Sequence, residues 1–252
     1  MTATGWYSRD FYDATRGYSE RSAGRIVPEL VSLVHPRSVV DVGCGTGHWL
    51  RAFLDSGVER VLGIDGHHVP AASLDIPVDR FRAMDLTRIQ PVDERFDLAV
   101  SVEVAEHLPA ESAASFVAFV AGLAPVVVFS AAIPGQGGVG HVNEQWPGYW
   151  ADLFERHSYR AVDCLRARFW EDPAVTWWYA QNLFVYASYE ALGRLPDLQA
   201  AIAAPPMPVR LVHPNAMAAR DRPLSLGQLV RALPGAAQHS LTYRRRHGRG
   251  RS

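Results

Sequence analysis

Apolar and polar positions along the chain fall into two kinds of stretch. Val39 to Val42, Arg60 to Asp65, residues 77 to 86, Phe96 to Glu103 and Pro125 to Ser130 are short and mostly apolar, and each ends in or beside an acid, a hydroxyl or a turn residue. Near-continuous apolar runs of that length suit parallel strands covered on both faces. Between them lie stretches with helical spacing. Ile26, Leu30, Leu33 and Val34 share one face of a helix over Ala23 to Val34, and Trp49, Ala52 and Phe53 share another after His48. Ala110 to Gly122 and Tyr149 to His157, with Trp150, Leu153 and Phe154 on one side, complete the set. Strands alternating with helices predict an α/β sheet. Two further strands, Arg160 to Phe169 and Gln181 to Ser188, are expected at the end.

The first strand runs into Asp41-Val42-Gly43-Cys44-Gly45-Thr46-Gly47 and then into a helix. Glycines at alternate positions let a turn visit backbone angles closed to other residues and let a ligand approach the main chain. A dinucleotide site wants G-x-G-x-x-G with a pyrophosphate on the helix start, whereas here His48 stands where the last glycine would be. The second strand ends in Asp65, whose two oxygens can accept from both hydroxyls of a ribose. A nucleoside without phosphates suits this arrangement better than a dinucleotide.

At these residues the chain resembles the class I S-adenosylmethionine-dependent methyltransferases, in their small-molecule (sugar and natural-product) branch. Asp41 to Gly47 is similar to their first motif, Asp65 with Gly66 to the ribose-binding acid, Ala83-Met84-Asp85-Leu86 to the adenine-binding motif, and Phe96 to Leu108 to the fourth motif. The resemblance covers roughly residues 20 to 190. It implies a Rossmann-like, doubly wound seven-stranded sheet, mostly parallel with an antiparallel last strand and helices on both faces. It implies S-adenosylmethionine as cofactor, S-adenosylhomocysteine as product, and a cofactor set of Asp41, Gly43, Gly45, Gly47, Asp65, Gly66, Asp85, Leu86 and Glu103. Asp85 also reads as a helix cap.

Composition narrows the setting. The chain has 252 residues, 48% hydrophobic and 20% charged, enough for one α/β domain with added segments. Residues 1–37 read as an N-terminal helical lid, 38–190 as the methyltransferase domain, and 191–252 as a proline- and alanine-rich extension with a basic tail. No apolar run approaches the length of a membrane span, and MTATGWYSRDF lacks a secretory pattern, so a cytoplasmic location and no membrane partner are expected. Cys44 and Cys164 make neither a C-x-x-C pair nor a disulfide framework. All 25 basic residues are arginine, which excludes a lysine base or Schiff base. Five of them lie between Arg244 and Arg251, leaving 20 against 26 acids elsewhere. That tail reads as a solvated terminus, and no nucleic-acid partner is expected.

Methyl transfer is an in-line displacement that depends on positioning, and a sugar hydroxyl additionally needs its proton removed. His141 is the first candidate base, His107 the second, with Glu144 orienting His141; His107 also reads as a brace after the fourth strand. The glycine-rich stretch Pro134 to Pro147 enters the rim where the cofactor lies, and long loops in compact domains usually carry function. Tyr12, Tyr18, Trp146, Trp177 and Trp178 are candidates for walling the acceptor pocket. The stretch around Glu103 and Glu106 offers glutamates flanked by apolar residues, and no metal is expected. The reading is O-methylation of a small-molecule acceptor by a monomer or homodimer. N-methylation of a small amine and a catalytically silent cofactor-binding partner are the alternatives.

Overall fold

The computed structural model describes residues 9–202 and 209–220. In chain order the elements are α1 (Arg9–Val34), β1 (Ser38–Val42), α2 (His48–Asp55), β2 (Arg60–Asp65), β3 (Phe81–Ala83), β4 (Leu98–Val102), α3 (Ala113–Leu123), β5 (Val126–Ser130) and α4 (Pro147–Glu155). Then come β6 (Tyr159–Val162), α5 (Arg166–Phe169), α6 (Trp177–Asn182), β7 (Phe184–Ser188), α7 (Tyr189–Arg194), α8 (Pro196–Ala200) and α9 (Pro214–Arg220). The strands form one seven-stranded sheet in the order β3-β2-β1-β4-β5-β7-β6. All pairs are parallel except those of β7, which runs against both β5 and β6. This is the mostly parallel sheet with an antiparallel last strand that the resemblance implies.

Alternation within the strands sorts side chains to the two faces. Val39, Val126 and Val128 join Ile26, Leu30, Leu50 and Phe53 on one side of the sheet. Val40, Val42, Val127 and Phe129 join Phe116, Val120, Trp150 and Phe154 on the other. Both layers are apolar, which explains why the strand sequences are continuous rather than alternating.

α1 is built into the first layer. Ala23, Val27 and Leu30 have no exposed surface, so residues 23–34 are core rather than a detachable lid. The chain divides into two compact units, Met1–His213 and Pro214–Ser252. The first therefore continues past residue 190, and Leu198 of α8 is fully buried. α9 is the described part of the second unit. The basic tail lies outside the described residues.

Two late elements differ from the sequence expectation. The strand predicted over 160–169 stops at Val162, because Arg166 turns back to bond Asp163 through Nε at 3.0 Å and lays its guanidinium over the Phe184 ring, 4.4 Å away. Gln181 and Asn182, predicted at the start of the last strand, end α6 instead, where the Asn182 amide bonds a half-buried carboxylate described below and Gln181 bonds Asn182. The strand predicted over 77–86 is reduced to three residues by a 3-10 turn at Val78–Arg80 after Pro77.

Leu30→Ala removes a fully buried side chain between α1 and the sheet, and we expect a loss of about 2–5 kcal/mol in urea denaturation. A loss below about 1 kcal/mol would show that α1 is peripheral to the core.

Candidate active site

The sheet order reverses between β1 and β4, and in open α/β sheets the ligand crevice lies beyond the carboxyl ends of the strands at that point. Gly43, Gly45 and Gly47 follow β1 with φ of 84°, 54° and 93°, a region that side-chain-bearing residues rarely enter. Sterics reinforce this at Gly43, where an added Cβ would sit 2.3 Å from Cγ2 of Val104. The segment after β4 is thus pressed against the glycine loop. Cys44 is buried with its thiol against Gly63, the small turn residue the sequence suggests.

Two acids flank this loop. Asp41 is 1% exposed and its Oδ1 has no hydrogen-bond partner among the described residues. Burial, and secondarily the charge of Asp65, push its carboxyl well above the usual range. Asp65 accepts from the Gly45 amide at 2.7 Å through one oxygen and from the Gly66 amide at 2.6 Å through the other. Burial raises its pKa while those two amides oppose the rise. Each oxygen keeps a lone-pair site, so Asp65 both pins the loop and can still accept from a ribose diol. A polar orphan at Asp41, half-exposed backbone at Gly43 and Gly45, and an acid at the tip of β2 fit a phosphate-free nucleoside.

Asp85 is exposed and its Oδ1 accepts from both the amide (2.9 Å) and the hydroxyl (2.7 Å) of Thr87. It closes a local turn, and the Thr87 bonds hold its carboxyl below the ordinary value. Leu86 beside it is buried. Glu103 is tied into the protein. It sits at φ 56°, and its oxygens accept from Ser130 Oγ (2.8 Å), Asn182 Nδ2 (3.1 Å) and Gln136 Nε2 (3.0 Å). Those bonds commit most of its accepting capacity to the protein, so it organises the strand tips from within. The amides of Gln136, Gln181 and Asn182 were missed in the sequence, where only the polar pair closing Trp177-Trp178-Tyr179-Ala180-Gln181-Asn182 signals them.

The loop after β5 folds back on the segment after β4. Amides of Val142 and Asn143 donate to the Glu106 carbonyl at 2.8 and 3.0 Å, which brings His141 to His107 with ring centroids 4.8 Å apart and near-perpendicular planes. His141 Nδ1 lies 3.0 Å from Glu144 Oε1, and the amides of Gly135 and Gly137 donate to Glu144 at 2.6 and 2.7 Å. Burial works against ionisation of Glu144, but His141 and these amides hold its carboxyl below the usual range. The three candidate catalytic residues are therefore gathered in one corner. Burial, with help from His141, lowers the His107 pKa to about 4. Glu106, with no exposed surface, joins them; the sequence placed it on this rim without giving it a role.

The aromatic candidates form two groups. Tyr18 packs edge-on to Trp178 (5.7 Å), which packs on Trp177 (5.4 Å). Trp146 lies instead under the guanidinium of Arg210, 5.7 Å from its centroid. Tyr12 lies in α1, and its side chain falls outside the described residues. A separate cleft of about 610 Å³ between α1 and α2 is lined by Arg16, His48, Arg51 and Asp75, away from these candidates.

Comparisons with known proteins agree with this geometry. The profile of the family described as "Methyltransferase domain" matches residues 15–171. The sugar N-methyltransferase KedS8 from Streptoalloteichus sp. superposes with a TM-score of 0.57 at 15% identity, over 72% of this chain and 93% of that one. An O-methyltransferase family protein from Burkholderia thailandensis gives 0.54 at 13% identity, over 71% of this chain and 58% of that one. Magnesium protoporphyrin IX methyltransferase from Synechocystis, solved with bound S-adenosylhomocysteine, gives 0.50 at 14%, over 68% and 84%. This chain thus spans less than two thirds of the Burkholderia protein, and at these identities the likeness is one of fold. No curated protein matches the chain. Among the described residues no helix is long and apolar enough to cross a membrane. Glycine loop, flanking acids, sheet order and a family match over most of the sheet converge: the chain belongs to the methyltransferase-domain family, enzymes of the class I type that draw their methyl group from S-adenosylmethionine.

Proposed function

We propose that this enzyme methylates a hydroxyl of a small-molecule acceptor, a sugar or natural-product intermediate. The observation that carries the reading is the corner of His107, His141 and Glu144 standing on the segment that presses against the glycine loop. S-adenosylmethionine supplies an electrophilic methyl group on a sulfonium. The chain's own work is to hold the acceptor in line with it and to deal with the acceptor's proton. Glu144, fixed by two backbone amides, takes the Nδ1 hydrogen of His141 and so leaves Nε2 free to accept. The displacement itself needs no metal ion. Asp65 holds the ribose, Asp85 and Leu86 the adenine. Tyr18, Trp177 and Trp178 offer aromatic faces for the acceptor, with Trp146 nearer the loop.

A second reading, N-methylation of a small amine, draws on KedS8, which is named a sugar N-methyltransferase. An amine with its lone pair free needs no base, so the built-in histidine–carboxylate pair supports the hydroxyl. The third reading, a silent cofactor-binding partner, has an intact glycine loop in common with the first two and differs only in turnover. A cytoplasmic location and a monomer or homodimer complete the proposal.

S-adenosylhomocysteine at 100 times its dissociation constant should stabilise the wild-type chain by about 2.7 kcal/mol, and Asp65→Ala should abolish that gain in a thermal-shift titration; stabilisation by NADH instead would contradict the cofactor assignment. His141→Ala should bind S-adenosylhomocysteine as the wild type does while kcat toward a hydroxyl acceptor drops by about 100-fold or more. Unchanged turnover would remove His141 from the proposed role.

A further inference from the structure

Beside the glycine loop, Glu106, His107 and His141 each turn one donor atom to a common point, with all three atoms within 4.8 Å of one another. Donors at about 2.1 Å from a shared ion stand at most about 4.2 Å apart, so closing on an ion asks for side-chain movements of less than about one ångström. The Glu106 carboxyl has no exposed surface, and only the nearby backbone amides of Glu106 and Ala132, outside good hydrogen-bond geometry, favour its charge. A carboxyl so buried stays neutral unless a cation or a metal joins it. None of Glu103, Glu106 and Glu144 pairs with an arginine among the described residues. Three carboxyl groups thus meet two imidazoles with no arginine beside them among the described residues.

A carboxylate also stands behind one of the two imidazoles. Glu144 accepts at Nδ1 of His141, the arrangement that fixes a ligating histidine's tautomer and aims its other nitrogen at an ion. The other cluster of this kind, Glu20, His48 and Asp75, is different. There Arg16 already bonds Glu20 and Asp75 at 2.6 Å each and supplies the positive charge.

We infer that Glu106, His107 and His141 form a binding site for a divalent first-row transition cation, which holds the oxygens of the acceptor at the methyl-donor end of the crevice. Two imidazoles and one carboxylate suit Mn, Fe, Co or Zn better than Mg or Ca, and three protein donors leave positions open for a hydroxyl pair on the acceptor. The inference rests on the methyl-transfer reading and refines it. With the ion bound, His141 serves as a ligand in place of the base described above, and the ion's charge makes a bound hydroxyl more acidic, its proton passing to solvent. The oxygen then forms the new C–O bond as the C–S bond breaks, with that bonding pair staying on sulfur as the neutral thioether.

The test uses the full-length, untagged, chelator-treated chain. Equilibrium dialysis against Co²⁺ or Zn²⁺ with metal analysis should give one ion per chain, and Co²⁺ should develop a visible ligand-field spectrum. Glu106→Gln should lose that stoichiometric binding, Glu144→Gln should weaken it by about 10-fold, and His48→Ala should keep it. Folding of each variant is checked by its binding of S-adenosylhomocysteine. No stoichiometric ion in the wild type, equal binding in Glu106→Gln, or loss of binding in His48→Ala would each overturn the inference. If S-adenosylhomocysteine still binds in that case, the methyl-donor reading stands without the metal; if the wild type binds neither, both fall.

Discussion

The close approach of Gly43 and Val104 is the constraint on which the site depends. A backbone atom where any other residue would place a Cβ is filled by a valine methyl group, and this contact joins the tip of β1 to the segment after β4. The donor loop and the reactive corner are neighbours for that reason. Asp65 tightens the same joint by holding the Gly45 amide. The loop's conformation therefore depends on β2 as well as on its own glycines.

Polar groups at the strand tips are organised from inside the fold. Ser130, Gln136 and Asn182 surround Glu103, and Gln181 extends the network to Asn182 and to the His213 amide. Burial raises the Glu103 pKa while these donors oppose it, so the network is the condition under which a carboxylate survives there. A half-satisfied network would be worse than an apolar one. That accounts for α6 ending in two amide side chains, and for β7 starting later than its apolar pattern alone predicts.

The cofactor side of the site was legible in the sequence because its signals are local. Glycines at alternate positions, an acid at the end of β2 and apolar runs between them can be read within single stretches. The parallel strands followed from the same runs, and the reversed last strand from the resemblance to the class I methyltransferases. The corner was legible only in part. His107, His141 and Glu144 were singled out, but their meeting is made by Val142 and Asn143 bonding to the Glu106 carbonyl, a contact no spacing rule contains. Glu103 ends a strand, and the left-handed backbone and amide partners that tie it to the strand tips come from distant stretches that no local pattern shows. Strand β6 was overextended because the fold-back of Arg166 onto Asp163 depends on Phe184, far along the chain.

The central claim is that a phosphate-free adenosine sulfonium binds across the ends of β1 and β2, next to the histidine corner. A crystal structure of the chain with S-adenosylhomocysteine tests it most directly. The account predicts both ribose hydroxyls within hydrogen-bond distance of the Asp65 carboxylate and the sulfur on the Val104 side of the glycine loop. Density for the nucleoside in the cleft between α1 and α2, with the loop after β1 unchanged and Asp65 untouched, would contradict it.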